Sequence, residues 1–262
     1  MEYTLNIRGR LLSLSEARVM GILNVTPDSF YAGSRTTSEK GIIERAHAIV
    51  DEGGTIIDVG ACSTRPGSTP VSQDDEMARL RQALSIVRRE QPQAVVSVDT
   101  FRPDVARMAV EEYGADIIND VAASDDMLRM VARMHVPYIL TSSEPTLAAT
   151  MLFFADRVQR LRDMGCADII LDPGFGFGKT LDENYALLHQ LSRLHVLELP
   201  LLVGLSRKSM ICRLLGIDPS EALSATTALH AVALLQGASI LRVHDVAEAV
   251  QCVRLVGKVN KP

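Results

Sequence analysis

The chain has 262 residues, 47% hydrophobic and 23% charged, which suits one large domain with a sizeable core and excludes gross disorder. Its net charge of −5 argues against non-specific nucleic-acid binding, leaving room only for a local basic pocket, and no Trp with 4% aromatics argues against a single-strand stacking platform. No apolar run approaches the roughly 18–20 residues of a membrane span, and the start lacks the apolar core of a signal peptide. Cys62, Cys166, Cys212 and Cys252 form neither a CxxC pair nor a zinc-type spacing, as expected of reduced thiols in the cytoplasm.

In chain order, YTLNIRGRLLSLSE reads as a β-hairpin turning at Arg8-Gly9-Arg10, expected to close the N-terminal end of a barrel. VMGILN (19–24) is the first of a series of short β-branched runs. Helical SEKGIIERAHAIVDEG (38–53) leads to TIIDVG (55–60), and DDEMARLRQALSIVRRE (74–90) leads to AVVSVD (94–99). PDVARMAVEEYG (103–114) precedes DIIND (116–120), and DMLRMVARM (126–134) precedes YILTSS (138–143). LAATMLFFADRVQRLRDMG (147–165) then leads to DIILD (168–172), and ENYALLHQLSRL (183–194) to LLVGLS (201–206). SEALSATTALHAVALLQG (220–237), ILRVHD (240–245) and AEAVQCVRLVGK (247–258) complete the series. The runs are nearly continuously apolar, as parallel strands buried on both faces are. Gly53, Gly114, Gly165 and Gly237 stand where helices end on a left-handed residue. The alternation predicts an α/β fold: a single (β/α)8 TIM barrel over 1–262 with a short N-terminal β-hairpin. An open doubly wound sheet is second choice, since no dinucleotide fingerprint is present.

In such a barrel the chemistry lies at the C-terminal ends of the strands. Polar residues collect there: Asn24, Asp99, Asn119, Asp120, Ser142, Ser143, Asp172, Ser206, Arg207, Arg242, His244 and Asp245. Helix capping accounts for Asp120, Asp245 and Ser206. It does not account for Asn24, Asp99, Asn119, Asp172, Arg242 and His244 together.

Three loops add chemistry. NVTPDSFYAGS (24–34) and GACSTRPGSTP (60–70) are long and polar, and Arg65 offers a fork to a phosphate or carboxylate. DPGFGFGKT (172–180) is not a phosphate loop, because GxxxxGK[ST] requires Gly where Pro173 stands. Its glycines instead give backbone that a flat ligand can approach. In SRKS (206–209), Lys208 meets a helix N-terminus, favouring an anion or a carbonyl. Arg242 and His244 share one strand face and, across the barrel seam from Asn24, form an anion-binding corner. Asn24 could give Mg²⁺ a neutral oxygen. His244 is the one candidate among the six His; the others fall in or beside helices.

NVTPDSF, STRPG, SVDT, IIND, DPGFGFGKT, LLVGLSRKS and ILRVHD occur in that order from about Met20 onward. Together they closely resemble the dihydropteroate synthases. The pterin-binding domains of methyltransferases are similar, but SRKS and RVHD favour the synthases. The resemblance implies a TIM barrel, a homodimer and a sulfonamide target of folate biosynthesis. The implied reaction joins 6-hydroxymethyl-7,8-dihydropterin pyrophosphate to p-aminobenzoate and releases pyrophosphate with Mg²⁺. By motif, Asp99, Asn119, Asp172, Gly204, Lys208 and Arg242 resemble the pterin-binding set. Asn24, Arg65, Arg242 and His244 resemble the pyrophosphate set, with Asn24 on the metal. Thr64, Pro66, Phe177 and Ser209 resemble the p-aminobenzoate neighbours, and Asp28 a loop residue supporting a cationic intermediate. The catalytic set so implied is Asp28, Arg65, Lys208, Arg242 and His244.

The sequence departs from the family pattern in three loops. SFYAGS stands for SFSDGG, Ala61-Cys62 for a Gly-Glu pair, and Thr141-Ser142-Ser143-Glu144 where many members carry His-Met. Two other readings remain: a methyltransferase domain holding a methylated pterin, which needs no pyrophosphate corner, and a non-catalytic pterin-binding paralogue. Cys62 has no His partner within sequence reach to make it a nucleophile.

Overall fold

A computed structural model describes residues 2–25, 38–62 and 71–260. β1 (Thr4–Ile7) and β2 (Arg10–Ser13) form the expected hairpin. Its turn is the pair Arg8-Gly9, both left-handed with φ 48° and 83°, which matches strand twist; Arg10 already pairs with Ile7.

Eight parallel strands follow, alternating with helices. The strands are β3 (Arg18–Asn24), β4 (Ile56–Gly60), β5 (Val95–Asp99), β6 (Ile117–Asp120), β7 (Tyr138–Thr141), β8 (Ile169–Asp172), β9 (Leu202–Val203) and β10 (Ile240–Val243). Their order is β8-β7-β6-β5-β4-β3-β10-β9. Leu171 bridges Leu201, and its N–H donates to Pro200 O at 2.9 Å, so the two end strands meet and the sheet closes. The helices are α1 (Glu39–Asp51), α2 (Gln73–Glu90), α3 (Pro103–Tyr113), α4 (Asp125–Met134), α5 (Leu147–Asp163), α6 (Leu181–His189), α7 (Ser209–Leu215), α8 (Leu223–Leu235) and α9 (Val246–Asn260). Among the described residues, no helix is long and apolar enough to cross a membrane.

Some expected boundaries shift for local reasons. The run 201–206 yields only a two-residue strand, because Lys208 N–H folds back to Leu205 O at 3.2 Å and begins a turn. The helix expected over 183–194 starts earlier, at a capping box of Thr180 and Glu183, and ends at His189 before a 3-10 helix, Leu191–Leu197. The stretch 220–237 opens instead on a 3-10 turn, Pro219–Glu221.

Strand parity separates two cores. Val19, Ile57, Val96, Ile118, Tyr138, Ile169, Leu201 and Leu241 point outward and pack beneath the helices. Met20, Ile56, Ile117, Ile139, Ile170, Leu202 and Ile240 point inward, with Val95 packed against them, and fill the barrel's lower interior. Leu5, Ile7 and Leu14 of the hairpin segment join this inner cluster and plug its base. Two residues further along each strand the inward positions become Ile22, Asp58, Ser97, Asn119, Thr141, Asp172, Gly204 and Arg242. The barrel is therefore dry at one end and polar at the other.

His230 of α8 is buried, and its Nε2 has no partner among the described residues. Burial holds the imidazole down to about 4, against a weaker upward pull from Asp245. On unfolding the ring returns to its ordinary 6.5, so the unfolded chain takes the proton first. The stability contributed is intact above pH 6.5 and is lost as pH falls through 4. In His230→Leu, the fall in unfolding free energy across that window is expected to shrink by roughly 3 kcal/mol, measured by denaturant titration at several pH values. An unchanged slope would show that His230 does not carry the acid sensitivity.

Candidate active site

The polar inner layer is organised around one guanidinium. Arg242 Nε donates to Asp58 Oδ2 at 2.6 Å, and its Nη2 donates to Asp99 Oδ2 at 2.7 Å. Asn119 Nδ2 donates to the same Asp58 carboxylate at 3.2 Å. Asp58 is fully buried in mid-β4, whereas the Asp99 side chain, one strand over at the mouth, is 20% exposed. Gly204 belongs to the same inward layer; a methyl there would stand 3.9 Å from Arg242 Cβ, in ordinary contact with the base of that side chain.

Asp172 ends β8 and is 7% exposed. Its Oδ1 accepts the Gly174 N–H at 2.8 Å, which turns the glycine loop across the barrel mouth. Gly174 has φ 68°, and a Cβ there would lie 2.0 Å from Ser142 O, so no larger residue fits. Lys208, the residue before α7, donates to Phe175 O and places its ammonium 4.5 Å from the Phe177 ring centroid. Buried Lys179 donates to Ser142 O at 3.1 Å and Gly174 O at 3.0 Å, tying the loops after β7 and β8 together. Ser209 opens α7 and is exposed.

The electrostatics follow from burial. Burial pushes the Asp99 carboxyl up to about 7, with Arg242 opposing and Asp58 and Glu76 adding. Burial raises Asp172 as well, opposed by Lys208 and by the Gly174 N–H. Lys179 is brought down to about 8 by burial, against Asp172, Glu144 and Glu183. Burial would lower Arg242, but Asp58 and Asp99 outweigh it and hold the guanidinium firmly charged. The Cys62 thiol is pushed up by burial and Glu76, the opposite of an activated nucleophile.

The seam between β3 and β10 carries the second group. Asn24 ends β3, and His244 follows β10. Ser206 Oγ accepts the His244 N–H at 3.1 Å and lies 2.9 Å from its Nδ1. With the hydroxyl proton on Nδ1, the ring carries its own proton on Nε2, as a donor suited to an anion. Arg45 of α1 donates to Ile22 O at 3.0 Å and to His244 O at 2.7 Å, clamping the two strand ends. Among the described residues, no group of three His, Cys, Asp or Glu could hold a metal. Asn24 does offer an amide oxygen, and a methyl on Gly60 would stand 3.2 Å from it. A single neutral oxygen suits Mg²⁺, which keeps its waters and takes phosphate oxygens for the rest.

Of the expected site residues, Asn24, Asp99, Asn119, Asp172, Phe177, Gly204, Lys208, Ser209, Arg242 and His244 all lie at or just past the C-terminal ends of the strands. Asp28, Thr64, Arg65 and Pro66 lie outside the described residues. Asp120 and Ser206 do not take the helix caps expected of them, since Ser124 caps α4 and Lys208 stands at the start of α7. Asp120 accepts from Ala122 N–H, Ala123 N–H and Tyr138 Oη, and Asp245 pairs with Arg207. Sequence reasoning missed Asp58, Arg45 and Lys179. The signal for Asp58 was present: a carboxylate at an inward position of an otherwise apolar strand. Arg45 and Lys179 carried none, since both act on backbone carbonyls.

A separate cleft of about 700 Å³ lies beside the hairpin, lined by Tyr3, His195, Gly237, Arg254 and Lys258 among others. It sits at the end of the barrel where the strands begin, away from the carboxylates and the cations described above.

The "Pterin binding enzyme" family profile matches residues 20–244. The Escherichia coli K12 dihydropteroate synthase is 40% identical, over 95% of this chain and 94% of that protein. The structure of the Yersinia pestis dihydropteroate synthase with a sulfonamide drug superposes with TM-score 0.93 at 36% identity, covering 99% of this chain and 100% of that one. The Xanthomonas albilineans dihydropteroate synthase with 4-aminobenzoic acid gives TM-score 0.90 at 37% identity, with both chains covered in full.

Removing Arg242 would leave the buried Asp58 carboxylate without its cation. Arg242→Leu is therefore expected to cost about 3–5 kcal/mol of folding stability, measured from the urea midpoint at constant m-value. A loss under about 1 kcal/mol, the size of an exposed pair, would show that the group is solvated.

Proposed function

The chain belongs to the dihydropteroate synthases, a family of transferases, and from that membership we propose that it condenses 6-hydroxymethyl-7,8-dihydropterin pyrophosphate with p-aminobenzoate. The observation that carries the proposal is the polar layer inside the barrel mouth, where Asp58, Asn119, Asp172 and Arg242 face a common space beside Lys208. A pterin presents an amino group, a ring N–H and a ring carbonyl on one edge. Asp172 accepts from the donors, Asn119 reads the mixed face, and Lys208 donates to ring acceptors. Asp99 and Arg242 border the same slot, and Gly204 leaves the heterocycle room. A buried carboxylate unmatched by ligand donors costs several kcal/mol, which turns the slot's polarity into selectivity.

The reacting carbon is the methylene that bears the pyrophosphate. Its C–O bond breaks first, the diphosphate leaving with the electron pair while the ring delocalises the positive charge. Arg242, His244 and Arg65 stabilise the departing anion, and Asp28 supports the cation. The amine nitrogen of p-aminobenzoate then forms the C–N bond, and the proton it loses passes to the released diphosphate or to water. This nitrogen is neutral at pH 7, so the reaction needs neither a strong base nor a covalent nucleophile. Phe177 and Ser209 border the p-aminobenzoate side, with Thr64 and Pro66 from the loop after β4. Mg²⁺ would be held by Asn24 and the diphosphate oxygens, and when bound it supplies charge neutralisation for the leaving group.

The working unit is proposed to be a homodimer. Val232 and Leu235 of α8 and Leu255 and Val259 of α9 are exposed apolar residues on two helices that pack together. The four cysteines are free thiols, which suits a reducing, cytoplasmic setting. Sulfonamides would compete at the p-aminobenzoate side.

Asp172→Asn is expected to weaken pterin pyrophosphate binding more than about 100-fold in calorimetry, since the amide would bring its own N–H against a ligand donor. Unchanged affinity would remove Asp172 from the recognition. Arg65→Ala should leave pterin affinity intact and abolish dihydropteroate formation in a coupled assay. Loss of pterin affinity alone would mean that the two substrate regions are divided differently. Pterin binding without pyrophosphate release by the wild-type protein would identify a non-catalytic paralogue.

A further inference from the structure

Two hydroxyls in the polar inner layer, Ser97 Oγ and Thr141 Oγ1, are buried and have no hydrogen-bond partner among the described residues. A buried hydroxyl without a partner is costly, and protein interiors seldom keep one without a use. Thr141 is the more informative of the two. It is 2% exposed and ends β7 on the inward face. Its parallel-register partner on β8 is Asp172. The methyl branch packs toward the glycine loop, since a Cβ on Gly174 would come within 3.2 Å of Thr141 Cγ2. The hydroxyl therefore takes another direction from Cβ, at the level of the Asp172 carboxylate.

We propose that Thr141 is a specificity-determining residue whose hydroxyl donates a hydrogen bond to the ring carbonyl of the pterin; this rests on the functional reading above. The edge of a 2-amino-4-oxo heterocycle runs donor, donor, acceptor: amino group, ring N–H, carbonyl oxygen. The matching protein edge must run acceptor, acceptor, donor. Asp172 supplies both acceptors and cannot supply the donor while ionised, and the carbonyl oxygen has two lone pairs, so a second donor can join Lys208 there. The neighbouring strand places a hydroxyl beside it, and among the described residues no group takes that proton. Ser97 fits less well, because its register partners are Asp58 and Ile117 rather than Asp172.

The assignment implies an opposition between binding and stability. In the free protein the hydroxyl contributes nothing to folding and is desolvated, so the isosteric Thr141→Val should fold at least as stably as wild type. A merely structural threonine would lose stability on the same change.

The test is calorimetric titration with 6-hydroxymethylpterin, together with isotope-edited infrared difference spectra of the ring carbonyl labelled with oxygen-18. Thr141→Val is expected to bind about tenfold more weakly, with an equal or higher Tm and the bound carbonyl band moved to higher frequency. Thr141→Ser is expected to restore both affinity and band position. Unchanged affinity and an unmoved band in Thr141→Val, with tight wild-type binding, would overturn the role of the hydroxyl and leave the functional reading standing. Absence of pterin binding by the wild-type protein would overturn both.

Discussion

One guanidinium shared by two carboxylates inside the barrel conditions the rest of the molecule. Arg242 meets Asp58 and Asp99 in space taken out of bulk water, where such a group gains little net stability over a hydrophobic packing of equal volume. What it supplies is position. Asp58 grows from the middle of β4 and Arg242 from β10, so their contact passes over the intervening β3 and fixes the floor of the polar layer. That layer is possible only because the layer beneath is dry. Met20, Ile56, Ile117, Ile139, Ile170, Leu202 and Ile240, plugged by Leu5, Ile7 and Leu14, keep water from reaching the charges from below.

A second set of contacts fixes the loops above the floor. The glycine loop is held at Gly174 by Asp172, at Gly176 by Asn184 Oδ1 at 2.7 Å, and by Lys179 on the Ser142 and Gly174 carbonyls. Lys208 then reaches Phe175 O and the Phe177 ring across a surface already set. On the other side, Arg207 holds Asp245 with Nε and Nη2 at 2.9 and 2.8 Å, joining the turn before Lys208 to the turn after His244. The paired, planar geometry defines distance and angle together, so Lys208 and His244 keep a fixed relation. Arg207 adopts φ 54°, a left-handed conformation that turns the chain toward Lys208.

The sequence made the fold legible because each strand is apolar on both faces and each helix has a clear start or stop. It made the mouth of the barrel legible because polar residues at strand ends stand out against that background, as Asn24, Asp99, Asn119, Asp172 and Arg242 do. Residues whose partners are backbone carbonyls were not visible. Lys179 reads as the tail of a glycine-rich motif, and Arg45 as a solvated position on an amphipathic helix; only the folded chain brings Ser142 O and His244 O to them. Asp58 was overlooked for a different reason. Reading a strand by its last residue misses the inward position two residues earlier, where this site has its deepest charge.

In the proposed reaction the same ion-pair group would also divide the labour between the pterin and the diphosphate. Arg242 is already bonded to two carboxylates, so an arriving diphosphate would have to compete with Asp99 for the Nη2 donor and leave that carboxyl without its cation. Burial holds Asp99 near 7, so it can take up a proton at modest cost if the cation is drawn away. Even so, the guanidinium's charge is largely balanced from within the slot, and its field at the seam is correspondingly weak. At the seam, Ser206 accepts the His244 N–H and lies 2.9 Å from its Nδ1, which orients the imidazole beside Asn24 at the end of β3. In the proposed reaction Arg242 would therefore serve the heterocycle first and the leaving group second, because its donors are already committed to Asp58 and Asp99.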